Sequence, residues 1–409
     1  MLNYLNNKGI DEMIDKNKNI IISNGTIITR FRLLEGKVIF IQKGKITAIE
    51  NRENIAAPVE TEVIDAGDGF VAPGFIDIHV HGGGGSDIMD GKYEAVKQVA
   101  TTHSRFGTTA FLPTTMTMSK DKIIGSLKSI HEAFIKGTGA AEILGVHLEG
   151  PYISSEKKGA QKEKDIKKAS IEEFLEFNQA SGNLIRLVTI APEMPGAIDF
   201  IRWLYKQGII ASVGHSNATY KQVKEGIKAG LTHVTHTFNA MRGLDHREPG
   251  VVGAALSSPE LIVEIIADGI HLHPVAMKIL TQVKEIEKIV LITDAMRAAS
   301  KPEGTYNLGG QEVTVVNGQA RLKDGTLAGS VLTMNKAVCN MVDKVGVSLT
   351  EAIQMATINP ARCLGVESKK GSLEPGKDAD IVILNKKLKV ELTMVKGRVV
   401  YRREALKNL

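Results

Sequence analysis

Between residues 72 and 369 short apolar runs of β type alternate with amphipathic helical stretches, and few architectures accommodate that alternation. The runs are "FIDIHVH", "TAFLPTT", "ILGVHLE", "LVTIAP", "IIASVGH", "THVTH", "LIVEIIAD" and "IVLITD". Helical patterns such as "YEAVKQVATTHSRFG", "DKIIGSLKSIHEAFIKG", "SIEEFLEFNQASG", "AIDFIRWLYKQG" and "YKQVKEGIKAG" separate several of them. Ser170, followed three residues later by Glu173, has the spacing of a capping box. Parallel strands need crossover connections, usually helices, and eight such runs predict a (β/α)8 TIM-like barrel. An open doubly wound sheet would instead cradle its ligand at a glycine-rich turn after the first strand. Here "HGGGG" lacks the following glycine or Gly-Lys-Ser/Thr pattern that holds phosphate, so the barrel is the better reading.

The two ends of the chain share a different pattern. "NIIISNGTIITRF", "GKVIFIQKGKITAIE" and "TEVIDAGDGFVAPG" at one end, and "DADIVILNKKLKVELTMVKGRVVYRR" at the other, are alternating β-rich runs broken by Asn-Gly and Gly-Lys turns. They predict one small β-sandwich domain built from residues 1–71 and 370–409, with the barrel between them at 72–369. After the eighth run, "NLGGQEVTVVNGQARLKDGTLAGS" predicts an inserted β-hairpin region followed by two helices.

Composition excludes several classes. A net charge of +5 over 409 residues, with Lys and Arg interspersed among acids as in "EKKGAQKEKDIKKAS", is a solvated surface and not a nucleic-acid footprint. Only 5% of residues are aromatic, too few for a base-stacking surface. Two cysteines, Cys339 and Cys363, cannot make a disulfide framework and read as packed thiols of a cytoplasmic protein. "MLNYLNNKGIDEMIDKNKN" holds no apolar core of signal-peptide length, and no run approaches the roughly 20 apolar residues of a spanning helix, so no membrane partner is expected.

Most of the predicted strands finish on residues that bind metal or move protons. His79 and His81 end the first, Glu149 the third, His215 the fifth, His236 the sixth and Asp294 the eighth. All strand ends of a barrel meet at one face. The period of two on a strand sends His79 and His81 to the same side, toward the barrel axis, where two imidazoles can grip one cation. Gly82 to Gly85 would let the backbone turn away and leave room for a substrate. Singly, each residue has a bland reading: a strand histidine is more often a packed one, and Glu149 could be an ordinary ion-pair partner. Together they form a set of imidazole and carboxylate donors without thiolates, which suits an open catalytic site for zinc or another divalent transition metal. Such an ion polarises a carbonyl and acidifies water, while an adjacent carboxylate carries the proton to a leaving group. Asp294 is the candidate for that carboxylate.

The strings "PGFIDIHVHG", "GVHLEGPY", "VGHSNA", "THTFNAM", "REPG", "ADGIH", "LITDAM", "LAGS" and "ATINPARCLG" occur in an order that resembles the amidohydrolase superfamily. Within it, the chain is similar to the deacetylases of N-acetylated amino-sugar 6-phosphates over essentially its whole length. The resemblance implies hydrolysis of N-acetyl-D-glucosamine 6-phosphate to D-glucosamine 6-phosphate and acetate, in amino-sugar catabolism and cell-wall sugar recycling. It implies metal ligands Glu149, His215 and His236, with His79 and His81 able to hold a second ion bridged through Glu149. One or two ions per chain are expected, zinc first, with Fe, Mn or Co as alternatives. No lysine ends the fourth run "LVTIAPE" to be carboxylated as in other branches.

For the sugar phosphate the resemblance implies backbone around Asn239 and Ala240, the side chains of Arg247 and His271, and backbone at Ala160 and at Leu327, Ala328 and Gly329. Arg247, whose planar fork suits phosphate, reaches the neighbouring subunit's site in this family, which implies a homodimer. Gln161 stands where many relatives carry a histidine that contacts the acetyl carbonyl, so it is assigned to the substrate as well. His147, His233 and His273 are expected near the site as partners orienting the ligands; His103 and His131 read as packing or surface residues on helices, and His246 as part of a polar loop. N-acetylgalactosamine 6-phosphate and cyclic amides are the alternative substrates, and a non-catalytic barrel is the alternative class.

Overall fold

The structure is a computed structural model that describes residues 18–404, so the reading of the extreme N-terminus lies outside the described residues. Eight parallel strands form the barrel: Phe75–Val80, Thr108–Thr115, Val146–Glu149, Ile185–Ile190, Ile210–Val213, Leu231–Val234, Ile262–Ile266 and Ile289–Ile292. They pair in sequence order, first with second and so on to seventh with eighth. Covered on both faces, they lose the alternation of a half-exposed strand, and the first, second and eighth are buried at every position. The barrel is closed just past the strand ends, where the Asp294 N–H donates to His79 O (2.9 Å) and the His81 N–H to Ala295 O (2.9 Å). Lower down, Asp77 joins the first strand to the eighth by accepting from Thr293 Oγ1 (2.5 Å). Thus the seam of the barrel coincides with the strand ends that carry the candidate ligands.

Helices Tyr93–Ser104, Lys120–Lys136, Ile171–Ala180, Ala197–Lys206, Tyr220–Ala229, Gly250–Ser257 and Pro274–Val283 cover the outside, each burying an apolar stripe. Ser170 caps its helix by accepting from the Glu173 N–H, but Glu173 does not complete the box: its carboxylate is taken by Lys167 (2.5 Å) and the Tyr152 hydroxyl (3.3 Å). Thr219 and Gln222 form a full capping box instead.

Two smaller sheets face one another beside the barrel. One has four strands from residues 19–65; the other joins Thr26–Ile28, Leu33–Leu34 and Phe70–Pro73 to Ile381–Leu384, Val390–Val395 and Arg398–Arg402. Ile20, Ile39, Ile41 and Ile46 from the first interdigitate with Val71, Ile381, Ile383 and Met394 from the second. The strand Phe70–Pro73 runs across the expected boundary at residue 71 and pairs wholly within the small domain, because its partners Thr26–Ile28 and Ile381–Leu384 lie there. The inserted region forms three antiparallel strands, Gly304–Leu308, Gln311–Val316 and Gln319–Leu322, which fold over the barrel mouth.

The glycines after His81 do something different from what was expected. Gly82–Gly83 pairs with Ser86–Asp87 in a two-stranded turn whose corner residues, Gly84 and Gly85, have φ of 64° and 93°. The segment is pinned to residues 295–299 by the N–H groups of Gly82, Gly84 and Gly85, and His103 Nε2 meets Gly82 O at 2.9 Å. A Cβ at Gly82 would sit 2.7 Å from the Arg297 backbone nitrogen. Close backbone approach, and not space for a substrate, explains this glycine, and none of the four lines the pocket.

Candidate metal centre

A cavity of about 390 Å³ opens at the barrel mouth, with His81, Glu149, His215, His236 and Asp294 on its floor. Three of these, His215, His236 and Asp294, follow their strands in left-handed backbone conformations, with φ of 47°, 31° and 47°. Such conformations cost about 1–3 kcal/mol each for residues other than glycine and persist where the surrounding fold imposes them. Here they turn the side chains inward at the end of each strand.

The donor atoms fall into two groups that share Glu149. In one, His215 Nε2 and His236 Nε2 are 3.1 Å apart and lie 3.2 and 3.1 Å from Glu149 Oε1. In the other, His79 Nε2 and His81 Nε2 are 3.2 Å apart, and Asp294 Oδ1 is 3.6 and 3.2 Å from them. Glu149 connects the groups, with Oε1 3.4 Å from His79 Nε2 and Oε2 3.3 Å from His81 Nε2.

The outward bonds of the imidazoles decide what the inward nitrogens can do. His81 Nδ1 donates to the carbonyl of Thr114 (3.2 Å), His215 Nδ1 to the carbonyl of Lys157 (2.9 Å) and His79 Nδ1 to Glu264 Oε2 (3.2 Å). A carbonyl or carboxylate only accepts, so in a neutral ring the proton is on Nδ1 and Nε2 presents a bare lone pair. His79 and His81 therefore point two lone pairs at each other and at two carboxylates, an arrangement that repels itself unless a cation stands between. Burial disfavours charge on His81, yet Asp294 and Glu149 outweigh it and raise its affinity for a proton well above the ordinary value. That electrostatic demand is what a metal ion meets by displacing protons. The spacings fit as well: nitrogen donors at 2.0–2.1 Å from a tetrahedral ion would be roughly 3.3 Å from one another. Nitrogen and oxygen donors without sulfur suit zinc and similar divalent ions.

Asp294 is buried and ionised. Burial opposes its charge, but His79 and His81, when they carry the proton that the two carboxylates draw to them, outweigh that and hold its pKa at about 2. It enters any reaction as the carboxylate, able to accept a proton and, having done so, to give it up.

The remaining walls come from loops. Ala160, Gln161, Asn239, Ala240, His271, Leu327 and Gly329 line the pocket, as do Met116, Leu308, Arg321 and Thr326. Ala328 is buried behind them, its N–H donating to Ala320 O. His271 is oriented by Asp268, whose Oδ2 is 2.7 Å from Nδ1. Arg247 is exposed on the 243–249 loop and lies outside the pocket of its own chain, while Glu248 is engaged with the N–H groups of Tyr220 and Gly250.

Of the histidines expected near the ligands, His147 packs edge-on against His79 with ring centroids 4.5 Å apart. His233 is buried against Thr232 (2.8 Å), and His273 caps the helix Pro274–Val283, so neither touches the donors. Two orienting residues were absent from the sequence reading. Glu264 binds both the His79 ring and the His236 backbone N–H (3.2 Å), and Asp77 accepts from the His79 N–H (3.2 Å). Each had a signal: Glu264 is the one acid inside the apolar run "LIVEII", and Asp77 shares the strand parity of His79 and His81.

A third group of buried donors, Glu142, Asp378 and Asp380, also converges. It surrounds the ammonium of Lys370 at 2.7, 3.1 and 2.6 Å and so already holds a cation.

The model of the Amidohydrolase family matches residues 70–400. The chain belongs to the amidohydrolase family. Among its relatives, this amidohydrolase is 39% identical to the N-acetylglucosamine-6-phosphate deacetylase of Bacillus subtilis (strain 168), over 94% of this chain and 98% of that one. It is 40% identical to the N-acetylgalactosamine-6-phosphate deacetylase of Escherichia coli O157:H7, over 91% and 97%. Among solved structures, the N-acetylglucosamine-6-phosphate deacetylase of Pasteurella multocida superposes with a TM-score of 0.88 at 33% identity, covering 93% of this chain and 99% of that one.

Proposed function

We propose that this amidohydrolase removes the acetyl group from N-acetyl-D-glucosamine 6-phosphate, releasing acetate and D-glucosamine 6-phosphate. The observation that carries the reading is the pair of facing imidazole and carboxylate donor clusters joined by Glu149 beside the carboxylate of Asp294. The relatives, aligned across nearly the whole chain, support the choice of an N-acetylated sugar phosphate. Glu149, His215 and His236 would hold one divalent ion, and His79 and His81, with Glu149 shared, a second; zinc is the first choice. Such an ion supplies Lewis acidity, polarising the acetyl carbonyl and making water easier to deprotonate.

The chain's own groups do the rest. Asp294 takes a proton from the attacking water and passes it to the departing amine nitrogen, which would otherwise leave as an unstable anion. Asn239, Ala240 and His271 line the wall where the sugar phosphate would be held, and Leu327 and Gly329 close the side next to Asp294. Arg247, exposed on its own chain, would serve the pocket of a second copy in a homodimer. The free thiols Cys339 and Cys363 fit a reducing compartment, and we place the enzyme in the cytoplasm.

The test is acetate release from N-acetylglucosamine 6-phosphate before and after chelation and after return of zinc. Activity that is absent throughout refutes the reading. The 40% identity to a galactosamine-type enzyme favours one second reading, the C4 epimer, and kcat/KM measured side by side on the two epimers chooses between them.

A further inference from the structure

Gln161 lies in the loop after the third strand, 4% exposed, between the ends of the second and third strands. Its Oε1 accepts from the Thr117 N–H at 2.7 Å, and its Nε2 donates to Glu149 Oε2 at 2.7 Å. The amide has one possible orientation. Thr117 N–H can only donate, so the carbonyl oxygen must face it; a flipped amide would set two donors together at Thr117 and two acceptors together at Glu149. The oxygen that Gln161 grips is the one 3.3 Å from His81 Nε2, on the side of the His79, His81 and Asp294 group. The loop is itself held from above, where Gln311 Nε2 of the inserted sheet donates to Ala160 O at 2.6 Å.

We infer that Gln161 is a positioning residue: it fixes the rotation of the Glu149 carboxylate, holding Oε2 toward His81 while Oε1 faces His215, His236 and, at 3.4 Å, His79, and thereby sets the affinity of the second metal position. This rests on the reading of Glu149 as the shared metal ligand. An amide suits the task because it spans from a backbone donor to a carboxylate, accepting at one end and donating at the other. Substrate contact, the role implied by the family resemblance, would use only what hydrogen-bonding capacity the amide has left.

The two roles separate in Gln161→Glu, which keeps the acceptor for Thr117 but replaces the donor with a like charge beside Glu149, and in Gln161→Leu, which removes both. The experiment is zinc titration of chelator-stripped protein against a chromophoric zinc indicator, with kcat and KM on N-acetylglucosamine 6-phosphate measured in parallel and folding checked by circular dichroism. The expected result is that Gln161→Glu loses the weaker zinc equivalent, or binds it about 10- to 100-fold less tightly, with a parallel fall in kcat and little change in KM. Zinc binding equal to wild type in a folded Gln161→Glu variant, whether or not KM rises, overturns the inference, and Gln161→Leu decides the case if the Glu variant does not fold. Wild-type protein that binds no zinc would instead overturn the reading of Glu149 beneath it.

Discussion

At the junction of barrel and small domain, Glu142, Asp378 and Asp380 close around Lys370, with Lys396 3.1 Å from Glu142 and Lys45 2.8 Å from Asp378. At the barrel mouth, Glu149 and Asp294 face four imidazoles, and no lysine or arginine forms an ion pair with either among the described residues. Both places bring buried donor atoms within ligand distance of one another, so convergence alone does not distinguish them. Charge balance does. Three carboxylates at the junction meet three ammonium groups, and the cluster is complete as folded. At the mouth, the Nδ1 protons of His79, His81 and His215 are committed outward, and the inward atoms are acceptors with no cation of their own. The junction is built to hold two domains together, and the mouth to hold something that arrives from solution.

The sharpest way to break this contrast is Asp294→Asn. With the proton carrier gone, kcat should fall by roughly 10²- to 10⁴-fold while the ion held by Glu149, His215 and His236 remains; steady-state kinetics with metal analysis checks both, and near-normal turnover would remove Asp294 from its role. Lys370→Met should do the opposite. It leaves buried carboxylates without their cation, at a cost of about 3–5 kcal/mol in urea denaturation, with unchanged metal content in the folded protein. Glu264→Gln probes the orienting layer of the mouth alone, and we expect metal affinity lower by about 10- to 100-fold with the fold intact by circular dichroism.

The smallest effect is in pH. Burial raises the Glu142 pKa, but Lys370 and Lys396 outweigh it and hold it below its ordinary 4.5. Burial lowers that of Lys370, but Asp380, Glu142 and Asp378 raise it well above 10.5. A depressed acid stabilises above its unfolded value and loses that contribution as pH falls through the folded one; a raised lysine stabilises below its unfolded value and loses it as pH rises. The contributions of Glu142 and Lys370 are therefore fully present between about pH 4.5 and 10.5 and decline outside that window. In Lys370→Met, urea midpoints from pH 3 to 6, roughly the carboxylate range, should show a weaker acid limb.

Much of the mouth was legible along the chain because strand ends in a barrel converge whatever the details of packing, so His79, His81, Glu149, His215, His236 and Asp294 could be read from position alone. The eight strands were legible as short β-type runs, several of them separated by amphipathic helical stretches. What escaped depends on partners far apart in sequence. Glu264 matters only because its strand lies where His79 points, 185 residues away, and Lys370 only because Glu142 and Asp380 meet it at the domain junction. The glycines after His81 misled because glycine permits both openness and close backbone approach, and only the neighbouring segment at 295–299 shows which is used. The half-formed capping box at Ser170 failed for a similar reason: Lys167 and Tyr152 compete for Glu173.

The most direct measurement is calorimetric titration of chelator-stripped protein with zinc, comparing the wild type with Glu149→Ala and Lys370→Met. The account predicts saturable binding of two ions per chain in the wild type, binding crippled in Glu149→Ala and unaltered in folded Lys370→Met. Zinc binding that survives Glu149→Ala intact, or that disappears with Lys370, would contradict it.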